Sequence, residues 1–119
     1  MNIVAHLVVQ EATAIAANTA TDAIAVGKFG EILAFATCSA KTGTSPTMDI
    51  KMQVSPDAEA ASPLWFDSAD AFAQFTDNGS KFKALTANFG KWIRFYQTIG
   101  GSVSPAYTVK IELHAKSTA

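Results

Sequence analysis

A chain of 119 residues is the size of a single domain. With 49% hydrophobic and 16% charged residues it is too apolar for a disordered segment. Nine basic against ten acidic side chains give a net charge of -1, without the clustered cations that a nucleic-acid partner demands.

In Ile3 to Gln10, Ile3, Ala5, Leu7 and Val9 share one side and Val4, His6 and Val8 the other. That alternation predicts a strand with partial cover on both faces. The following EATAIAANTATDAIAV has the alanines of a helix, but Thr13, Asn18, Thr19 and Thr21 deny it a wide apolar stripe. An extended course with a turn near Asn18 and a short strand over 23–26 is expected, with a helix as the alternative. Residues 1–22 read either as part of the body or as an extended arm. No basic region followed by a leucine-rich core opens the chain, so a secretory signal is not expected.

Glu31 to Cys38 reads as a central strand, with Leu33 and Phe35 on one face and Ile32, Ala34, Ala36 and Cys38 on the other. Cys38 is the single cysteine; it excludes an internal disulfide and reads as a small buried hydrophobe. Polar residues 39–45 and Pro46 interrupt the run. Met48, Ile50, Met52 and Val54 then alternate with Thr47, Asp49, Lys51 and Gln53, the pattern of a half-exposed strand. Residues 55–63 form a loop bounded by prolines. SADAFAQFT, 68–76, is expected to run extended into an Asp77-Asn78-Gly79 turn, and Lys81 to Asn88 to form a strand.

Lys91 to His114 reads as two strands joined by a glycine-, serine- and proline-containing connection. Ile93, Phe95 and Ile99 share a parity that Gln97 breaks. Tyr107, Val109, Ile111 and Leu113 alternate with Thr108, Lys110, Glu112 and His114. The unit echoes residues 31–54: Leu33 and Phe35 answer to Ile93 and Phe95 at an offset of 60, and Pro46, Met48, Ile50, Met52 and Val54 answer to Pro105, Tyr107, Val109, Ile111 and Leu113 at 59. Each unit is expected to be a hairpin with one apolar face. A lone hairpin is marginal in water, so the two are expected to pack together. The predicted fold is all-β: one domain over 1–119, a jelly-roll-like or immunoglobulin-like β-sandwich of about seven to eight mostly antiparallel strands.

Chemistry is hard to assemble from these residues. His6 and His114 lie near opposite ends of the chain; terminal strands can adjoin, but no third zinc ligand is suggested by spacing. Asp67 and Asp70 sit three apart in a loop setting, and Asp57 and Glu59 beside Pro56, which suits turn chemistry better than catalysis or calcium binding. GxxxxGK[ST], GxGxxG and HExxH are absent. No enzyme activity, cofactor or metal is expected. Nor is a membrane span, since no apolar stretch reaches roughly 18 residues.

The aromatics suggest binding instead. Trp92, Arg94, Tyr96 and Thr98 share the parity opposite to Ile93 and Phe95, so an inward Ile93/Phe95 face turns a Trp-Arg-Tyr row outward. Those three types are enriched at protein interfaces. With Trp65 and Phe66 the row could instead form a platform for sugar rings, or be covered by the loop 55–70. Trp92, Arg94, Tyr96 and Trp65 are the candidate interface residues.

One resemblance adds to this reading. The order GTSPTMDIKMQVS, a polar loop, WFDSADAFAQFTDNG and KWIRFYQTIGGSVSPAYTVKIELHAK resembles a group of small β-sandwich structural proteins of tailed-bacteriophage virions, over about residues 23–116. The resemblance implies a capsid decoration (cement) protein on the virion surface, binding the major capsid protein as a homo-oligomer, trimer or dimer. Neck or tail structural proteins share the pattern, and a carbohydrate-binding module displayed on the particle is the rival. The sequence departs from the pattern at 57–62, Asp-Ala-Glu-Ala-Ala-Ser in place of an Asp-Asp-Gly type of turn, and at Phe95 and Tyr96, where smaller β-branched residues are commoner. The family offers no catalytic residues.

Overall fold

The computed structural model describes residues 2–85 and 89–118. The strands are β1 (Asn2–Ile15), β2 (Thr19–Ala20), β3 (Ile24–Ala25), β4 (Glu31–Ser55), β5 (Phe66–Ala71), β6 (Gly79–Ala84) and β7 (Trp92–Thr118). Together they make one seven-stranded sheet, ordered β1-β7-β4-β5, with β2 and β3 also on β7 and β6 on β4. Each ladder is antiparallel, and the sheet does not close into a barrel.

The two expected hairpins do not form. β4 pairs with β7 along nearly its whole length, from Glu31 opposite Lys116 to Ser55 opposite Trp92. The alternation of apolar residues reports which face a side chain takes and is blind to which strand lies beside it. A ribbon that folds on itself and one that pairs with its repeat therefore look alike in sequence.

Both long strands nevertheless turn back, as the registers require. Ile15 opposes Tyr107 and Thr19 opposes Gln97. Four residues of chain reach at most about 14 Å, whereas the intervening β7 residues would span about 33 Å if straight. On the other side Phe75 bridges Met48 while Gly79 opposes Cys38, so β4 doubles back at the same level. The sheet thus has two limbs. One joins β1, β6 and the 31–38 and 107–116 stretches of the long strands; the other joins β2, β3, β5 and the 48–55 and 92–99 stretches.

The corners between the limbs pack each against the other. A Cβ on Gly43 would lie 2.7 Å from Pro105 Cα, and one on Gly101 would lie 2.9 Å from Pro46 Cα. Both glycines hold positive φ, 96° and 114°, as do Ser45, Val103 and Ser104. Beneath them the buried Tyr107 hydroxyl donates to the Pro46 carbonyl at 2.9 Å.

One face of the bent sheet is the core. Even positions of β4 (Ile32, Ala34, Ala36, Cys38, Met48, Ile50, Met52) and odd positions of β7 (Ile93, Phe95, Tyr107, Val109, Ile111, Leu113, Ala115) are buried there. Leu33 and Phe35 belong to the opposite, half-exposed face, so the strand 31–38 is buried on one side, not both. This also corrects the repeat. An offset of 60 matches outward Leu33 with inward Ile93; only an odd offset preserves the face, as 59 does beyond the prolines. Gln97, the parity exception, points inward and is fully buried. Its amide exchanges two 2.9 Å hydrogen bonds with Gln10, which also donates to the Val109 carbonyl at 3.0 Å. An unpartnered amide there would cost about 1–3 kcal/mol.

The alanine-rich N-terminal segment is extended, and its polar residues explain why. Thr21 Oγ1 accepts from the Phe95 N–H at 3.0 Å while the Thr21 N–H donates to the Phe95 carbonyl at 2.8 Å. Asn18 Oδ1 accepts from the Ile99 N–H at 3.0 Å. These side chains occupy β7 donors beside strands of only two residues. Residues 2–15, offered above as arm or body, lie along β7 as an edge strand. The segment 68–76 runs as expected, through β5 to the Phe75 bridge. Residues 86–88 of the predicted strand Lys81 to Asn88 lie outside the described residues.

Val103 is β-branched, 75% exposed and held at φ 60°. A left-handed conformation costs an L-residue about 1–2 kcal/mol, which so exposed a side chain does not recover by burial. Val103→Asn is therefore expected to stabilise the fold by about 1 kcal/mol in urea unfolding. Gly43→Ala, which meets a backbone atom at positive φ, is expected to destabilise it by about 2 kcal/mol or more.

Candidate interaction face

The outer face of the second limb is assembled by adjacent strands. β4 contributes Lys51 and Gln53, β7 contributes Trp92, Arg94 and Tyr96, and β5 contributes Asp67; register sets Gln53 between Arg94 and Asp67. Ile93 and Phe95 are 0% and 1% exposed, so their odd parity leaves Trp92, Arg94 and Tyr96 outward, each half-buried.

A continuous polar chain crosses this face. Arg94 Nε donates to Gln53 Oε1 at 2.7 Å, Gln53 Nε2 donates to Asp67 Oδ1 at 2.9 Å, and Lys51 Nζ donates to Asp67 Oδ2 at 2.9 Å. Aromatic rings cap it. The Arg94 guanidinium lies 4.3 Å from the centre of the Trp65 ring, and Lys51 Nζ lies 5.6 Å from that of Tyr96. Lys91 Nζ stands 5.8 Å from the Trp92 ring. Trp65, Trp92, Arg94 and Tyr96 are thus brought onto one surface, with Trp65 arriving from the 55–65 loop to cover part of Arg94. Beside Trp65, Leu64 and Phe66 remain 65% and 55% exposed.

Electrostatics follow from these contacts. Hydrogen bonds from Gln53 and then Lys51 hold the Asp67 carboxyl below its ordinary value. Burial lowers the Arg94 guanidinium, partly offset by Tyr96. Among the described residues no carboxylate pairs with Arg94; Trp65 and the Gln53 carbonyl meet its charge instead. Gln53 was not singled out from sequence, and Asp67 was weighed only beside Asp70, as turn chemistry. The outward parity of Gln53 was legible; its alignment with Asp67 depends on the β4–β5 register.

The other candidate residues separate or settle into structural roles. Asp67 is exposed while Asp70 is 2% exposed, so the two carboxylates do not share a site. Asp57 Oδ1 accepts the Glu59 N–H at 3.0 Å, a local turn contact. Cys38 is buried, and burial pushes its thiol up to about 11, against a smaller opposing pull from Lys81. His6 and His114 do meet, directly opposed in the β1–β7 ladder with ring centres 5.3 Å apart. His6 Nε2 lies 2.6 Å from Glu112 Oε2, and this bond is the main cause holding Glu112 below its ordinary value. Phe35 packs 4.9 Å from the His114 ring. Among the described residues no three His, Cys, Asp or Glu side chains are placed to hold a metal ion.

No family model matches the chain, and no curated protein matches it in sequence.

Asp67 has a depressed folded pKa, so its contribution is present above the ordinary carboxylate range and lost as pH falls through the folded value. A carboxyl-carbon NMR titration should therefore give Asp67 a midpoint below the usual value of about 4. Gln53→Leu should move that midpoint back further than Lys51→Met; the reverse order would contradict the assignment of Gln53 as the stronger partner.

Proposed function

We propose that this chain is a non-catalytic structural subunit of a tailed-phage virion, a capsid decoration protein bound to the major capsid protein on the particle surface. The bent sheet is taken as a β-sandwich of the jelly-roll or immunoglobulin kind. Its chain is expected to act as a homo-oligomer.

The observation that carries the proposal is the organised outer face of the second limb. Trp and Arg dominate the binding energy of protein interfaces. Here Arg94 is already stacked on Trp65 and fixed by Gln53, so docking immobilises fewer free side chains than a loose surface does. The resemblance of the residue pattern to phage virion proteins suggests the partner class, and many copies on a lattice turn modest contacts into avidity. A sugar platform is less well supported, because the guanidinium occupies one face of Trp65.

Quantitative mass spectrometry of purified particles should find the protein in copies on the order of hundreds, as expected of a capsid lattice; a dozen or fewer would place it in the neck or tail. Trp92→Ala with Tyr96→Ala should reduce occupancy by at least about tenfold, the equivalent of 1.4 kcal/mol, with the melting curve little changed. Full occupancy by a folded double variant would remove this face from the interface.

A further inference from the structure

The sheet is open, and its longer edges differ in how they are guarded. β6 carries Lys81 and Lys83, and β5 carries the exposed Asp67. Charges on an edge strand discourage pairing with another chain. A two-fold copy of β6 centred on Phe82 would set Lys81 beside the other copy's Lys83, and the β5 ladder is broken by a register shift between Lys51 and Gln53. β2 and β3 are two residues each.

β1 is different. From residue 4 to residue 10 it reads VAHLVVQ, with no Asp, Glu, Lys or Arg. Its ladder with β7 keeps one register from Asn2 opposite Thr118 to Val8 opposite Glu112, and the first shift comes only after Val8. The bulge that twists many edges away from partners is therefore absent from residues 2–8 and comes only between Val8 and Gln10. Val4 and Val8 point outward and are 60% and 42% exposed.

We infer that β1 is the docking edge for a second copy of this chain, the two β1 strands pairing antiparallel about a two-fold axis at His6. That axis is the register in which Val4 of each copy lies beside Val8 of the other, on the same outward face. His6 of each copy keeps its own Glu112 partner at 2.6 Å. No like-charged carboxylates or ammonium groups are opposed along the run, which is what a self-complementary edge requires and what β6 lacks. The two sheets then continue as one, and the open edge strand gains main-chain partners. This inference is independent of the virion proposal.

Sedimentation and light scattering of the full chain at pH 8, over about a hundredfold range of concentration, test it. A mass twice 12.5 kDa is expected for the wild type. Val4→Lys with Val8→Lys should halve that mass, and so should Val4→Glu with Val8→Glu. Mixing the two variants should restore the dimer, because the axis sets each lysine beside a glutamate. Phe82→Lys on the opposite edge should leave the dimer intact. A wild type that stays monomeric, one that forms trimers, or a dimer that survives the lysine pair overturns the inference. Should the lysine variant unfold, hydrogen exchange of the wild type decides: protection of amides 4–8 must rise with concentration, and concentration-independent exchange overturns it as well.

Discussion

The pairing of β4 with β7 is the constraint from which the other features follow. Each long strand serves both limbs, so a single ladder fixes the register of everything hung on either side of it: β1, β2 and β3 on β7, β5 and β6 on β4. The bend works because both strands turn at the same level, each glycine lying against the other strand's proline. A side chain at either glycine would drive the two corners apart, and the limbs would no longer close over a common core. Fully burying a large apolar side chain is worth about 1.5–3 kcal/mol. Met48, Ile50, Phe95, Tyr107 and Ile111, all at or near zero exposure, are therefore at stake in that corner geometry.

Polar groups inside the body are handled by pairing. Gln97 faces inward from the second limb and is met by Gln10 from the first, so one reciprocal amide contact ties the limbs without leaving a donor stranded. Thr21 and Asn18 do related work along the edge of β7, capping backbone groups that the two-residue strands leave over. No buried side-chain nitrogen or oxygen among the described residues lacks a partner. A body settled in this way is a rigid support for its outer faces. On the second limb that rigidity reaches the surface through Gln53, whose amide links Arg94 to Asp67.

Much of the face assignment was legible. The alternation at 48–54 and 107–113, and the inward placement of Ile93 and Phe95, could be read directly, since a strand's two-residue period maps sequence parity onto sides of a sheet. The outward row of Trp92, Arg94 and Tyr96 followed from that parity. Leu33 and Phe35 misled through the repeat. Their match to Ile93 and Phe95 at an offset of 60 implied an inward face, while the core face takes Ala34 and Ala36. The cation on Trp65 and the reach of Lys51 and Gln53 to Asp67 were beyond reading, as each joins residues whose adjacency depends on a strand register or a loop path.

The sequence by itself determined that the chain is built from strands, which side of most of them is wet, and that proline and glycine break two ribbons at matching points. Tertiary structure alone decided that those ribbons pair with each other, that Gln97 finds Gln10, that His6 stands opposite His114, and which edges remain open. The division has a physical reason. Side-chain parity and turn chemistry are local properties of a few neighbouring residues, whereas the choice of a strand's partner is made among distant segments by how all of them share one core.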